Sequence, residues 1–121
     1  MLQKFDLSAT HLELDDRLKK YVTRKLAHLD KYMSKHVRPT AHLEVRLKEH
    51  KSNGQKEAVC DVTLRLPHDT IKLTEATQNM YAAIDIVEAK LKQQIRRYKD
   101  EHTNAKRRRR LFARRRNIVA A

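Results

Sequence analysis

Two stretches of this chain carry lysine and arginine at the one-turn spacing that can grip a row of phosphates. In the first, Arg17, Arg24, His28, Lys31 and Lys35 fall on one flank of a helix, with Lys20 close by. In the second, Lys90, Gln93 and Arg97 share a flank, with Arg96 further round and Lys99 following. Cationic side chains at that pitch suit the phosphate rows of folded RNA, where each contact releases condensed counterions. On most helix faces, charge only aids solubility. Here the acidic residues Asp85 and Glu88 thin out along the second stretch while basic ones accumulate, which favours a binding face.

Other chemistries are poorly provided for. Cys60 falls on the inward side of a strand pattern and reads as a small buried hydrophobe, not a reactive thiol. The seven histidines (His11, His28, His36, His42, His50, His68, His102) include no pair at zinc-finger or metalloprotease spacing. Gly54 is the only glycine, so a glycine-rich phosphate cradle cannot be built. No nucleophile, base and cleft converge, so no enzyme activity, metal, cofactor or small-molecule substrate is expected. Readers of single strands stack bases on exposed rings. Phe5, Tyr21, Tyr32, Tyr81, Tyr98 and Phe112 mostly lie near apolar stripes, so recognition of backbone shape is expected, with little base stacking.

The elements that must position these residues are legible in the hydrophobic pattern. Residues 2 to 8 alternate around Phe5 and Leu7, giving a short first strand. Asp15 stands as an N-cap for a helix from Asp16 to about Met33, with the stripe Leu18, Val22, Leu26, Leu29 and Met33. Arg38-Pro39 marks its exit. Ala41, Leu43, Val45 and Leu47 alternate with polar residues in a second strand, and Asn53-Gly54 signals a hairpin. The return strand carries Ala58, Cys60, Val62, Leu64 and Leu66 inward; Val59, Asp61, Thr63 and Arg65 face out. Pro67-His68-Asp69 turns the chain into a short fourth strand through Ile71 and Leu73. A long helix from about Thr77 to about Glu101 has the stripe Met80, Ile84, Val87, Leu91, Ile95 and Tyr98. The fold class expected is a two-layer α+β domain, β-α-β-β-β-α. Its four-stranded sheet has both helices on one face, and the first strand lies parallel beside a later one after a crossover.

Bulk composition agrees. The 121 residues and 40% hydrophobic content support one modest core. The net charge of +13 draws the chain toward polyanions. Eight of the 28 basic residues and none of the 15 acidic ones fall from Asn104 onward: Lys106, Arg107, Arg108, Arg109, Arg110, Arg114, Arg115 and Arg116. That leaves 20 basic against 15 acidic before them, a net of +5. The expected organisation is a domain over 1–102 and a basic RNA-binding tail over 103–121, disordered when free. The single cysteine excludes an internal disulfide and points to a reducing compartment. The N-terminus lacks a signal-peptide run, and no stretch reaches the roughly 20 apolar residues of a membrane span, so a cytoplasmic protein is expected.

Asn79-Met80-Tyr81-Ala82-Ala83-Ile84-Asp85, followed by Lys90-Leu91 and Gln94, resembles the second-helix signature of the ribosome hibernation promoting factors and the related ribosome-associated inhibitors. Leu18 through Tyr32, with Lys25-Leu26 and Leu29-Asp30-Lys31-Tyr32, is similar to their first helix, and the resemblance covers about residues 1 to 102. It implies binding in the cleft between head and body of the small ribosomal subunit, against 16S-type ribosomal RNA. There the protein would overlap the messenger and transfer RNA sites and silence translation under stress or in stationary phase. The resemblance implies contacts from Lys25, His28 and Lys31 in the first helix and from Lys90 and Arg97 in the second. Family members commonly carry Lys where this chain has His28 and Arg where it has Gln93. Long members add a dimer-forming domain, for which 121 residues leave no room, so a short form, monomeric when free, is expected. One short subtype ends in an acidic tail, whereas this tail is basic. A general structured-RNA binder or RNA chaperone would use the same faces without preferring ribosomes. A transcription-modulating interaction protein is a third reading, which no groove-forming pattern supports.

Overall fold

The computed structural model describes residues 1–103, so the basic tail residues from Lys106 to Arg116 lie outside the described residues. Its elements are β1 (Lys4–Thr10), a helical stretch beginning with α1 (Asp16–Val22), β2 (His42–Ser52), β3 (Gln55–Leu66), β4 (Asp69–Thr77) and α2 (Met80–Thr103). The sheet order is β1-β2-β3-β4. β1 runs parallel to β2, and the other two pairings are antiparallel. The expected β-α-β-β-β-α layout is therefore present.

Register follows the apolar alternation. Leu43 pairs with Leu64, Val45 with Val62 and Leu47 with Cys60, and all six are buried on the helix-facing side. A one-residue slip would turn these side chains to water, so the pattern fixes the pairing. Two tight turns hold that register. Asn53 (φ 55°) and Gly54 (φ 78°) both take left-handed angles between the paired residues Ser52 and Gln55, as a two-residue hairpin of matching twist requires. Pro67 and His68 link the paired Leu66 and Asp69. His68 holds φ 68°, the second-position angle of a proline-led turn.

Both apolar stripes meet the inner sheet face in one core. Leu18, Val22, Leu26, Leu29 and Met33 from the first stretch, and Met80, Ile84, Val87, Leu91, Ile95 and Tyr98 from α2, are all buried in it. α2 lies across β3 and β4, and its other flank touches the first helical stretch. The Tyr98 hydroxyl donates to the Pro67 carbonyl at 2.7 Å, tying α2 to the β3–β4 turn.

The structure corrects several boundaries. β4 runs nine residues, longer than the pair of apolar positions suggested. α2 starts at Met80 because Asn79 caps it, its Oδ1 accepting from Tyr81 N at 2.9 Å. The first stretch is not one regular helix. After α1 comes a π-helical turn (Thr23–Ala27), and after His28 a 3-10 turn (Leu29–Tyr32). Its apolar spacing explains the change: Leu18, Val22 and Leu26 recur every four residues. At 3.6 residues per turn each such step overshoots by about 40°, and a wider turn removes the drift. Thr63 is a further correction, since it is buried on the outer face beneath Arg46.

Asp15 caps α1 as expected, its Oδ1 accepting from Leu18 N at 2.8 Å. Replacing Asp15 by Ala should cost about 1 kcal/mol in urea unfolding. Leu91→Ala, at a fully buried position, should cost about 2–5 kcal/mol. Equal losses for the two variants would contradict this division between surface cap and core.

Candidate nucleic-acid interface

The helices meet along a seam of tyrosines. The Tyr21 and Tyr81 rings pack edge to face, with centroids 4.8 Å apart and planes at 78°. One turn beyond Tyr81, Asp85 accepts a short hydrogen bond from the Tyr21 hydroxyl. Lys25 reaches across from the first stretch, 3.7 Å from Asp85 and 4.0 Å from Glu88. Ring contact, hydroxyl and ion pair together fix one helix against the other.

Cations lie over the seam's rings. Arg24 sits 5.3 Å and Lys25 5.6 Å from the Tyr21 centroid, and Arg17 lies 6.0 Å from that of Tyr81. Lys31, Lys92 and Arg96 surround Tyr32 at 5.3, 5.4 and 5.5 Å. Such contacts are worth about 0.5–1 kcal/mol at exposed sites, enough to bias a rotamer but not to neutralise a charge. Among the described residues, no carboxylate lies within 4 Å of Arg17, Lys20, Arg24, Lys31 or Arg96. Rings hold all of these but Lys20 in place, and the grouped charges repel one another and favour an added polyanion.

The outer sheet face is built differently. Arg46 bonds Asp61, Glu44 and Thr63 at 3.2, 3.0 and 2.9 Å, and Arg65 also reaches Glu44. The Arg65 guanidinium holds the Glu44 carboxyl below its usual range. Lys56 pairs with Glu49 at 3.1 Å on the other, inward-register side of the β2–β3 hairpin. Asp6, His42 and Glu44 come close enough to share a cation. Glu44 is already engaged by two guanidiniums, whose charge opposes a metal. Cys60 is fully buried, and burial pushes its thiol up to about 12, in keeping with a packing role.

Of the residues singled out from sequence, Arg24, Lys25, Lys31 and Arg96 gather at the seam. Lys99, about half a turn round α2 from Lys90, falls on the seam side. His28 is exposed at the break between the π and 3-10 turns. Lys90 does not join them. It pairs with Glu75, an inward-register residue of β4, on the opposite flank of α2. Gln93 and Arg97 are exposed, and Arg97, seven residues on, shares that flank with Lys90. A merged surface through Lys90, Gln93 and Arg97 is thus corrected, because the first helical stretch covers the other side of α2. Sequence reasoning missed Lys92 and the tyrosines as cation holders. Their signal was the four-residue spacing of Tyr81, Asp85, then Glu88, Lys92 and Arg96, just beside the apolar stripe.

A family model described as "Sigma 54 modulation protein / S30EA ribosomal protein" matches residues 5–103. The chain belongs to this family. It is 34% identical over 96 residues to a ribosome hibernation promotion factor of Lactococcus lactis subsp. cremoris, covering 79% of this chain and 49% of that protein. A protein of the same name from Staphylococcus aureus is 29% identical over 96 residues, with 79% and 48% covered. The chain spans about half the length of these relatives. The Thermus thermophilus Protein Y N-terminal domain superposes with a TM-score of 0.60 at 27% identity, covering 80% of this chain and 97% of that one. A ribosomal subunit interface protein from Coxiella burnetii shares the fold, with a TM-score of 0.63 at 18% identity over 80% and 98% of the two chains. The resemblance carried by residues 79–85 and by Leu18 through Tyr32 is thereby confirmed at family level.

The Asp85 bond, with burial and the Asp85 charge behind it, raises the Tyr21 phenol from 10.0 to about 12. Because the folded value is raised, this stabilisation is complete below the ordinary value near 10 and fades as pH rises through about 12. In Asp85→Ala the Tyr21 phenolate, isolated by subtracting the absorbance titration of Tyr21→Phe, should form near the ordinary value. A titration that does not move would show that Asp85 does not hold the hydroxyl.

Proposed function

We propose that this protein is a ribosome hibernation factor: it binds the small ribosomal subunit through the cationic seam and silences translation. The carrying observation is the cluster of cations without carboxylate partners along the helical seam. On the outer sheet face Arg46 and Arg65 are matched to carboxylates, while Arg17, Lys20, Arg24, Lys31 and Arg96 on the helical face have none within reach among the described residues. An unmatched basic face on a rigid two-helix platform suits 16S-type ribosomal RNA, read by backbone shape. Family membership and the relatives' names support the ribosome as the RNA's source. In this reading the seam occupies the messenger and transfer RNA sites under stress or in stationary phase. The free protein is a cytoplasmic monomer with a binding domain over 1–102, and no helix among the described residues is long and apolar enough to cross a membrane.

The test is cosedimentation with purified small subunits, together with protein synthesis in a reconstituted translation reaction. The wild-type chain should cosediment and stop synthesis at saturation; unchanged synthesis at full occupancy rejects the silencing role. Equal affinity for random RNA duplex and for ribosomes would instead assign a general RNA binder.

The triple variant Arg24→Ala, Lys31→Ala, Arg96→Ala should bind subunits more weakly while unfolding normally. Its salt slope should fall by roughly 0.7 to 0.9 for each phosphate contact removed. Arg65→Ala, on the sheet face, should leave the slope unchanged, and the reverse pattern would move the docking surface to the sheet. Removal of residues 104–121 should weaken binding most at low salt, if the tail's eight basic residues add phosphate contacts. Identical salt titrations of the full and shortened chains would make the tail a passive extension.

A further inference from the structure

At one end of the seam lies an open cleft of about 630 Å³, lined by Arg17, Lys20, Tyr21, Arg24 and Tyr81. Its volume falls within the roughly 300–1,000 Å³ of small-ligand sites. Its lining combines two chemistries that a purely electrostatic face does not need. Three cations without a carboxylate within 4 Å, among the described residues, supply an anion site. Two tyrosines supply an aromatic wall, fixed by their edge-to-face contact and by the Tyr21–Asp85 bond. Inorganic phosphate would use only the cations, and an apolar ligand only the rings. A flat heterocycle joined to phosphate uses both.

We propose that the cleft binds a single nucleoside phosphate, with the base stacked against Tyr81 and the phosphates held by Arg17, Lys20 and Arg24. Arg17 lies 6.0 Å from the Tyr81 centroid, at the outer limit of a cation–π contact. A base can replace it there while the guanidinium turns to the phosphate. Arg24, closer to Tyr21 at 5.3 Å, keeps its position and presents its edge to the same anion. The site deepens the proposed function by adding base stacking to a surface otherwise read as shape-recognising, and it rests on that reading for its biological setting. The nucleotide is either an unpaired residue of an RNA chain or a free nucleoside polyphosphate, since both offer the same base and phosphate.

Calorimetric titration of the full chain at low salt, without ribosomes, tests this with three probes: adenosine triphosphate, tripolyphosphate and the RNA trinucleotide ApApA. Adenosine triphosphate should bind about tenfold more tightly than tripolyphosphate. Tyr81→Leu should remove that preference while leaving tripolyphosphate binding in place. Arg17→Ala combined with Arg24→Ala should weaken all three probes, and this pair of exposed positions serves if the Tyr81 variant does not fold. Tighter binding of ApApA than of adenosine triphosphate assigns the site to RNA, and the opposite order assigns it to a free nucleotide. Equal affinity for adenosine triphosphate and tripolyphosphate, or a preference that survives Tyr81→Leu, overturns the proposal. Cosedimentation of the wild-type chain reads ribosome binding separately, so either idea can fail without the other.

Discussion

One inner sheet face is all the apolar surface this domain has to offer, and both helices need it. Leu43, Val45, Leu47, Cys60, Val62 and Leu64 give that face, and each helical stretch has a single stripe to lay on it. The hydrophobic effect scales with the area removed from water, so the lowest free energy places the stripes side by side. That arrangement creates the seam. Tyr21, Tyr81, Asp85 and Lys25 meet because their stripes are buried together, and their own interactions are too weak to bring two helices into contact. The cationic seam is thus a by-product of the core, angled by it and held rigid by it.

The two layers then divide the charge. On the sheet face, side chains two residues apart on one strand and opposite on the next stand close enough to pair, as Glu44, Arg46, Asp61 and Arg65 do. Cross-strand neighbours of opposite sign stabilise a sheet modestly and leave little field outside. On the helical face, Arg17, Arg24, Lys31 and Arg96 are held over rings and have no carboxylate within 4 Å among the described residues, while Lys25 and Lys92 have both. A ring orients a cation while leaving its full charge to act at a distance. Within a modest net of +5 over residues 1–103, five cations without a carboxylate partner among the described residues thus stand on the helical side, where they can steer a polyanion.

Periodicity made most of the fold legible. Alternation around Val45 and Val62, the Asn53-Gly54 turn and the two stripes gave the element order, the core and the Asp15 cap. What stayed hidden was rotational. A helical pattern shows which residues share a flank but not which neighbour that flank faces. Lys90 and Lys92 are two residues apart, about 200° round the helix. One meets Glu75 at the sheet edge, the other Tyr32 at the seam. Knowing that α2 lies over β3 and β4, with the first stretch on one side only, was needed to separate them. The π turn was also out of sight, because Leu18, Val22 and Leu26 fit a regular helix when read as a list of apolar positions. The tyrosines read as core-flanking residues, which they are; their second role emerges only when cations from both helices are seen above them.

Lys25 and Lys90 pose the remaining question, since the resemblance implies RNA contacts from both and each already has a carboxylate. Exposed ion pairs are worth about 0–1 kcal/mol, because water solvates both partners nearly as well when they part. Lys25 retains 30% of its side-chain exposure and Lys90 52%, so neither pair is sealed from solvent. A phosphate row presents several charges at once and releases counterions on contact, a larger gain than one surface pair can oppose. Exchange is therefore open to both lysines, with different consequences. When Lys90 leaves Glu75 it uncovers only an edge-strand carboxylate. When Lys25 leaves Asp85 and Glu88, those carboxylates still face the seam, and the RNA must keep its phosphates away from them. Asp85, engaged by the Tyr21 hydroxyl, and Glu88, beside Lys92, are thus negative charges set within the cationic face, where an approaching phosphate is disfavoured.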